Sequence, residues 1–422
     1  MTAEQATVVR FHSLGGPEVL QVEQAPIGAP GAGEARIRVE AIGVNRAEAL
    51  VRSGHYIEPV REFPAGLGSE VSGVIDLVGP GVTGLEPGDP VSVVPAFSQN
   101  DYPVYADRAI VPAAAVLPRP DGTDAITGAA TWMAYLTAYG ALVEPGIIHP
   151  GDTIVLNAAS SSVGLALIQI ANHLGVHTIA LTRTATKAAA LANHGATHVI
   201  TTGPETDAGS QFPAAPGRRG VEVGTGLPAT AGQPGLEAGA GLPAAGQHGL
   251  HVGADAPAAP GQRGVEVSAR PTATAGQRGP DGSAGLGAVP SGDLAAQVKA
   301  LTCGRGVPLV LDAVAGPGIS DLAQLVSPGG TLLVYGASSG QPTPYPGVDL
   351  GLPALTIRSY TMHELSRDAR RLARAAAFIT AGLRSGAFRP VVAATYPLSD
   401  AVAAHKHLES NSHLGKLVLT VP

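Results

Sequence analysis

The sequence predicts an α/β protein: a β-rich N-terminal part, then a doubly wound parallel sheet interrupted by a long Gly/Pro-rich insertion. Three observations carry that expectation. Before Pro120, short β-prone runs are separated by turn residues. After Thr127, apolar strands alternate with apolar-periodic helices. From about Gly203 to Gly292 neither period persists.

In the N-terminal part, Thr7–Phe11, Ala35–Gly43, Val71–Val78 and Asp89–Val94 read as strands bounded by Gly and Pro. Further on, Thr153–Leu156 is an apolar strand that runs into the small-residue turn Ala159-Ser160-Ser161-Ser162-Val163-Gly164. A helix follows from Ser162 to Leu174, with Gly175 suited to the position just past its end. His177–Leu181 is the next strand, then Val199-Ile200, a helix Asp293–Leu301, and strands Leu309–Asp312 and Thr331–Gly336. That alternation is the pattern of a doubly wound parallel sheet. The expected division is 1–127 for the N-terminal domain, 128–350 for the sheet domain with the insertion 203–292 inside it, and 351–422 as a tail rejoining the first domain.

The 90 residues of the insertion hold 21 Gly and 11 Pro, and Phe212 is their only aromatic residue. This exceeds the roughly 25–30% Gly plus Pro that marks low complexity. GRRG at Gly217, GQPG at Gly232, GQHG at Gly246 and GQRG at Gly261 and Gly276 repeat in steps of 15, 14, 15 and 15 residues. The units carry too little apolar surface to stack, and glycine does not recur at every third position as collagen requires. A disordered insertion is expected, and a surface loop tolerates one because closure entropy grows slowly with length.

The 422 residues carry a net charge of -7, which gives no electrostatic case for nucleic acid. The single cysteine, Cys303, makes an intrachain disulfide impossible and fits a reducing compartment. The first residues read as strand rather than secretory leader, and no apolar run approaches the ~18 residues of a membrane span. A cytoplasmic location is expected.

A pyrophosphate needs close backbone approach, free N–H groups and a helix N-terminus. Ser160, Ser161 and Ser162 are small enough, and a serine hydroxyl can cap the helix. Val163 would then offer its N–H to a phosphate, and Gly164 would let the helix start close to the sheet. Taken alone the turn reads equally well as an ordinary strand–turn–helix, since GxGxxG is not matched. The end of the second strand adds information. It reads Thr182-Arg183-Thr184, with Lys187 beyond, and no acid to take a ribose 2′-hydroxyl. Two cations and two hydroxyls suit a 2′-phosphate, so NADP is expected over NAD; the alternative is a solvated loop.

An ordered series of motifs resembles the zinc-independent quinone oxidoreductase branch of the medium-chain dehydrogenase/reductases. It comprises GGPEVLQVEQAP from Gly15, VEAIGVNRAEALVRSGHY from Val39, GLGSEVSGVIDLVGPGVTGLEPGDPV from Gly66, LTAYGAL from Leu136 and GDTIVLNAASSSVG from Gly151. LDAVAGPG, LVSPGGTLLVYGASSG and the terminal GKLVLTVP complete it. The resemblance covers nearly the whole chain apart from the insertion. It implies a GroES-like domain, built from the N-terminal part plus the tail, around a Rossmann domain. It further implies Asn45 and Tyr56 beside the nicotinamide, and Thr137, Gly336 and Ala337 among the cofactor contacts. The serine-rich turn departs from the family's commoner AxxGxxG loop. Zinc-dependent relatives carry Cys and His where this chain has Asn45 and Ser69, and one cysteine cannot build a four-cysteine lobe, so no metal is expected.

Without a Lewis acid, acceptors that spread negative charge by conjugation are favoured: quinones and α,β-unsaturated carbonyls. Asn45 could donate to the acceptor oxygen, with a turn-capping amide as its alternative. Tyr56 could hydrogen-bond the acceptor or deliver a proton, with a partly buried core tyrosine as its alternative. Thr137 has a helix-packing alternative. Glu70, with no partner acid visible, reads as a structural acceptor. Cys303, at a helix end, reads as a bystander thiol, and the Arg367, Arg370, Arg371, Arg374 face as solvated. The implied protein is a homodimeric NADPH-dependent oxidoreductase acting on a small-molecule electrophile. An enoyl-thioester reductase and a non-catalytic NADPH-binding protein are the alternatives.

Overall fold

The computed structural model of the chain describes residues 4–203, 293–347, 350–352 and 354–422. They belong to one of the two units into which the chain divides, Met1–Pro216 with Val289–Pro422. The expected insertion lies outside the described residues, Gly203 excepted.

Three sheets organise this unit. A hairpin of Glu4–Phe11 and Leu20–Ile27 is extended on its other side by Ala65–Gly66. A seven-stranded sheet has Glu34–Val44 at its centre, flanked by Val71–Val78 and by Lys416–Thr420, which brings the C-terminal segment back to the N-terminal part. The third sheet is parallel and six-stranded. Its order is 198–201, 177–182, 153–156, 307–312, 326–334, 356–359, so in chain order it runs 3-2-1-4-5-6, the Rossmann arrangement. Its central strands are apolar on both faces, with Ile154, Val155, Leu156, Leu309, Val310 and Leu311 all buried. That is what a parallel sheet covered on both sides demands.

Helix Trp132–Leu142 is buried almost all round, and helix Ser162–His173 packs beside it. Helix Ala369–Ser385 is amphipathic, with Leu372, Ala375 and Ile379 turned inward. On its cationic face, Arg371 and Arg374 pair with Glu144. Cys303 is exposed just past helix Leu294–Leu301, in the left-handed region at φ 52°.

Two strands differ from the sequence reading. Val326–Val334 starts five residues before the expected Thr331, because pairing with Val307 carries it through Ser327-Pro328-Gly329-Gly330, residues that read as a turn. Thr356–Ser359 completes the parallel sheet from beyond the expected boundary at 350. Among the described residues, no helix is long and apolar enough to cross a membrane.

Candidate functional site

Strand order in the parallel sheet reverses between 153–156 and 307–312, and a crevice at such a switch point is where open α/β sheets bind ligands. Its floor is tied by Asn157. The Asn157 amide nitrogen donates to Asp312 Oδ1 at 2.6 Å, and its oxygen accepts the Ala313 N–H at 2.8 Å. Asp312 Oδ1 also accepts the N–H groups of Val314 and Ala315. Gly336 and Ala337 follow the adjacent strand. Gly336 lies against Ala313, and Ala337 is exposed.

The serine turn is shaped by the cap of the helix that follows it. Ser161 is the N-cap of helix Ser162–His173, and its hydroxyl accepts the Gly164 N–H at 3.0 Å. Gly164 therefore acts through its missing side chain: a Cβ there would come within 2.5 Å of Ala159 O. The first-turn amides of Ser162 and Val163 have no partner within the helix. The C-terminal segment straps the turn, with Gly415 N–H donating to Ser160 O at 2.9 Å.

At the end of the second strand, Thr182 is buried and its hydroxyl reaches Thr184 O at 3.4 Å. Arg183 is exposed, with no hydrogen-bond or ion-pair partner among the described residues, and its charge acts on Arg46. Lys187 departs from the expectation of a point charge open to a phosphate. Its ammonium donates to Asn411 O at 2.6 Å, His413 O at 3.0 Å and Ser160 Oγ at 3.3 Å, which binds the strand end to the C-terminal segment. Thr137 is buried and donates to Met133 O at 2.6 Å, one turn back in its own helix.

Asn45 caps helix Arg46–Arg52, and its backbone N–H donates to Glu48 Oε2 at 2.7 Å. Its side chain is enclosed in a buried network. The amide nitrogen donates to Glu70 Oε1 at 3.1 Å and Gly43 O at 3.3 Å, while the oxygen accepts from the Lys416 ammonium. Lys416 also pairs with Glu70, whose other oxygen accepts the Met133 N–H at 2.7 Å. Ser69 Oγ donates to Glu48 Oε1 at 3.1 Å. Every strong hydrogen-bonding group of the Asn45 side chain is thus engaged within the protein. Glu70 is a structural acceptor as expected, but it is not alone: Glu48 is near enough to repel it. Burial pushes the Glu48 carboxyl up to about 7, against the pull of Lys416.

Tyr56 is half-buried and lines a cavity of about 350 Å³ with Arg10, Glu58, Arg61 and Gln99. Its hydroxyl lies 3.3 Å from His363 Nε2. Burial raises the phenol to about 12; Glu48 and Glu58 add to the effect and Arg367 opposes it. Glu48, Lys416, His363, Asn157 and Asp312 were not singled out from sequence as site residues. Four of them lie inside the quoted motifs, and His363 lies outside all of them.

Residues 31–121 match the alcohol dehydrogenase GroES-like domain, and residues 287–419 match a domain described as zinc-binding dehydrogenase. A quinone oxidoreductase of Pseudomonas aeruginosa is 34% identical over 192 residues, 46% of this chain and 57% of that protein. The matched part thus spans little more than half the relative's length. A mycobacterial protein solved in complex with NADPH is 26% identical with a TM-score of 0.72, covering 98% of this chain and 99% of the other. An Escherichia coli quinone oxidoreductase solved with NADPH is 24% identical with a TM-score of 0.73, and supports the fold. The chain belongs to the medium-chain dehydrogenase/reductase superfamily, and within it to the quinone oxidoreductase-like proteins.

The zinc implied by one of those descriptions does not fit these residues. Asn45 and Ser69 are neutral oxygen and nitrogen donors rather than thiolate and imidazole, and the Lys416 ammonium already sits between Asn45 and Glu70.

Proposed function

We propose that this chain is an NADPH-dependent oxidoreductase that works without zinc and passes hydride to a quinone or an α,β-unsaturated carbonyl. The observation that carries the reading is at the switch point. A serine-capped helix N-terminus follows strand 153–156, and Arg183, without a partner among the described residues, follows the strand beside it, with no acid at that strand's end. The solved relatives that hold NADPH support it.

Ser162 and Val163 would hold the pyrophosphate through their N–H groups, and Arg183 the 2′-phosphate, since a helix N-terminus and a planar guanidinium both suit phosphate oxygens. When bound, the dinucleotide supplies a hydride. Conjugation in the acceptor spreads the negative charge that results, so no metal is required to hold it. Tyr56, with its phenol kept protonated, donates a hydrogen bond to the acceptor or a proton to a reduced alkene. Asn45 serves this site indirectly, by fixing the start of the helix that precedes Tyr56.

NADPH oxidation against a panel of quinones, enones and enoyl thioesters, with zinc quantified in the same sample, tests the proposal. Turnover with a quinone or enone by protein holding well under one zinc per chain is the expected result. Exclusive turnover of thioesters would replace the acceptor assignment. Bound NADPH with no oxidation by any electrophile would make this a binding protein, and chelator-sensitive activity would overturn the metal-free mechanism.

A further inference from the structure

Gln99 is 8% exposed and lines the same cavity of about 350 Å³ as Tyr56. Its amide is held at one end only. Oε1 accepts the Gly68 N–H at 2.9 Å, and that donor settles which end of the amide is oxygen. Gly68 is itself fixed in place: it has φ 104°, and a Cβ there would come within 2.5 Å of the Tyr105 ring. Gln99 Nε2 has no hydrogen-bond partner among the described residues and is not sealed from solvent. In a side chain this buried, that access is through the cavity it lines. The next residue shows the contrast. Asn100 lines the cavity too, but its Oδ1 accepts the Arg61 N–H at 3.2 Å and its Nδ2 donates to Pro59 O at 3.1 Å. Of these two adjacent amides, one is fully engaged by the protein and the other keeps a donor for something else.

We infer that Gln99 is a substrate-binding residue, its Nε2–H donating to a carbonyl oxygen of a compact, uncharged acceptor. The inference rests on the oxidoreductase reading above, with Tyr56 as the acceptor contact that marks this cavity. An amide N–H matches a carbonyl oxygen and, unlike a cation, does not select for negative charge. The charges around the cavity argue against an anion. Arg61 is already engaged by Glu58 and Asp101. With Glu62 added, the lining carries three carboxylates against two guanidinium groups, those of Arg10 and Arg61. An anionic acceptor would meet net repulsion there, and a neutral carbonyl compound would not. The volume lies near the lower end of the roughly 300–1,000 Å³ of ligand pockets, which suits a few fused rings rather than a long chain. As hydride reaches the acceptor, negative charge grows on its carbonyl oxygen, and the bond from Nε2–H strengthens.

Turnover of phenanthrenequinone, which has no open position for thiol addition, by wild type, Gln99→Glu and Gln99→Met tests this. Glutamate keeps an acceptor for the Gly68 N–H but has no N–H of its own; methionine loses both. Both variants should lower kcat/KM about 10-fold or more, with the affinity for NADPH little changed. Wild-type kcat/KM in Gln99→Glu would show that Gln99 only holds Gly68, and would overturn the inference. The sulfonate of the same quinone should be the poorer acceptor for wild type; equal or better turnover would refute the uncharged class. An independent readout is the side-chain amide spectrum of ¹⁵N-glutamine-labelled protein loaded with NADP⁺. The signal that disappears in Gln99→Glu should shift when phenanthrenequinone is added, and an unmoved signal would refute the contact. This readout needs no turnover. If no electrophile is reduced, the oxidoreductase reading fails, and the amide signal still decides whether Gln99 binds the carbonyl compound.

Discussion

Glu48→Gln should change how stability depends on pH, because the native fold holds this carboxyl in a place that disfavours its charge. It is fully buried, Glu70 repels it, and Lys416 compensates only in part, so its pKa is raised from 4.5 to about 7. Below pH 4.5 both folded and unfolded chains keep the proton, and the site costs nothing. Between 4.5 and 7 the unfolded chain ionises while the folded chain does not, so stability falls as pH rises. Above 7 the loss is complete. At about 1.4 kcal/mol per pKa unit it amounts to ~3 kcal/mol, a large share of the 5–15 kcal/mol typical of a domain. Glutamine cannot ionise. It also disturbs the bonds from Asn45 N–H and Ser69 Oγ, but that offset does not depend on pH. Urea titrations at pH 5, 6, 7 and 8 measure the difference, read by Trp132, the only tryptophan, which is buried beside the Met133 N–H that Glu70 accepts. The variant should gain on wild type by ~3 kcal/mol across that range. A gap that stays constant with pH would show that Glu48 is ionised in the fold throughout, and the account of the network would be wrong.

Arg183→Ala should weaken NADPH roughly tenfold or more and leave NADH nearly unchanged, since one charge-assisted contact is ~1.5–3 kcal/mol; equal affinity of wild type for both cofactors in titrations would refute the 2′-phosphate assignment. Lys416→Met should destabilise by ~3–5 kcal/mol because it leaves Glu70 buried without its cation, and Lys416→Met/Glu70→Gln should recover part of that in the same urea assay; a neutral single variant would mean the pair is not ionised. Replacing Gly209–Gly292 by a short Gly/Ser linker should leave the melting temperature and NADPH oxidation nearly unchanged, given a composition that cannot bury a core; collapse of soluble expression would contradict this.

The sheet domain was legible because its strands are short apolar runs, and the spacing of Ser161 and Gly164 follows from how a helix begins. The strand from Val326 was concealed because its first half is Ser-Pro-Gly-Gly, and only pairing with Val307 reveals it as extended. Site residues divided along the same line. Tyr56 could be proposed from a local motif, but its partner His363 lies 307 residues away in sequence and on another element. The charge of Lys187 is visible in sequence, but the carbonyls of Asn411 and His413 to which it donates lie 224 and 226 residues further along the chain. Asn45 was placed at the acceptor by resemblance. The buried cation that engages its oxygen arrives from the far end of the chain.

That far end explains why the two halves of the candidate site are arranged as one. Gly415 and Lys416 are adjacent, yet they serve different sites. Gly415 donates its N–H to Ser160 O in the serine turn, while Lys416 extends its ammonium into the Asn45–Glu70 network. Gly415 has φ 101°, and a Cβ there would come within 2.4 Å of Val391 O, so the chain can pass between the two sites at this point only without a side chain. Strand Lys416–Thr420 then pairs with Glu34–Val44, directly before Asn45 and the helix that leads to Tyr56. Two adjacent residues thus join the serine turn to the strand that ends at the base of the helix before Tyr56.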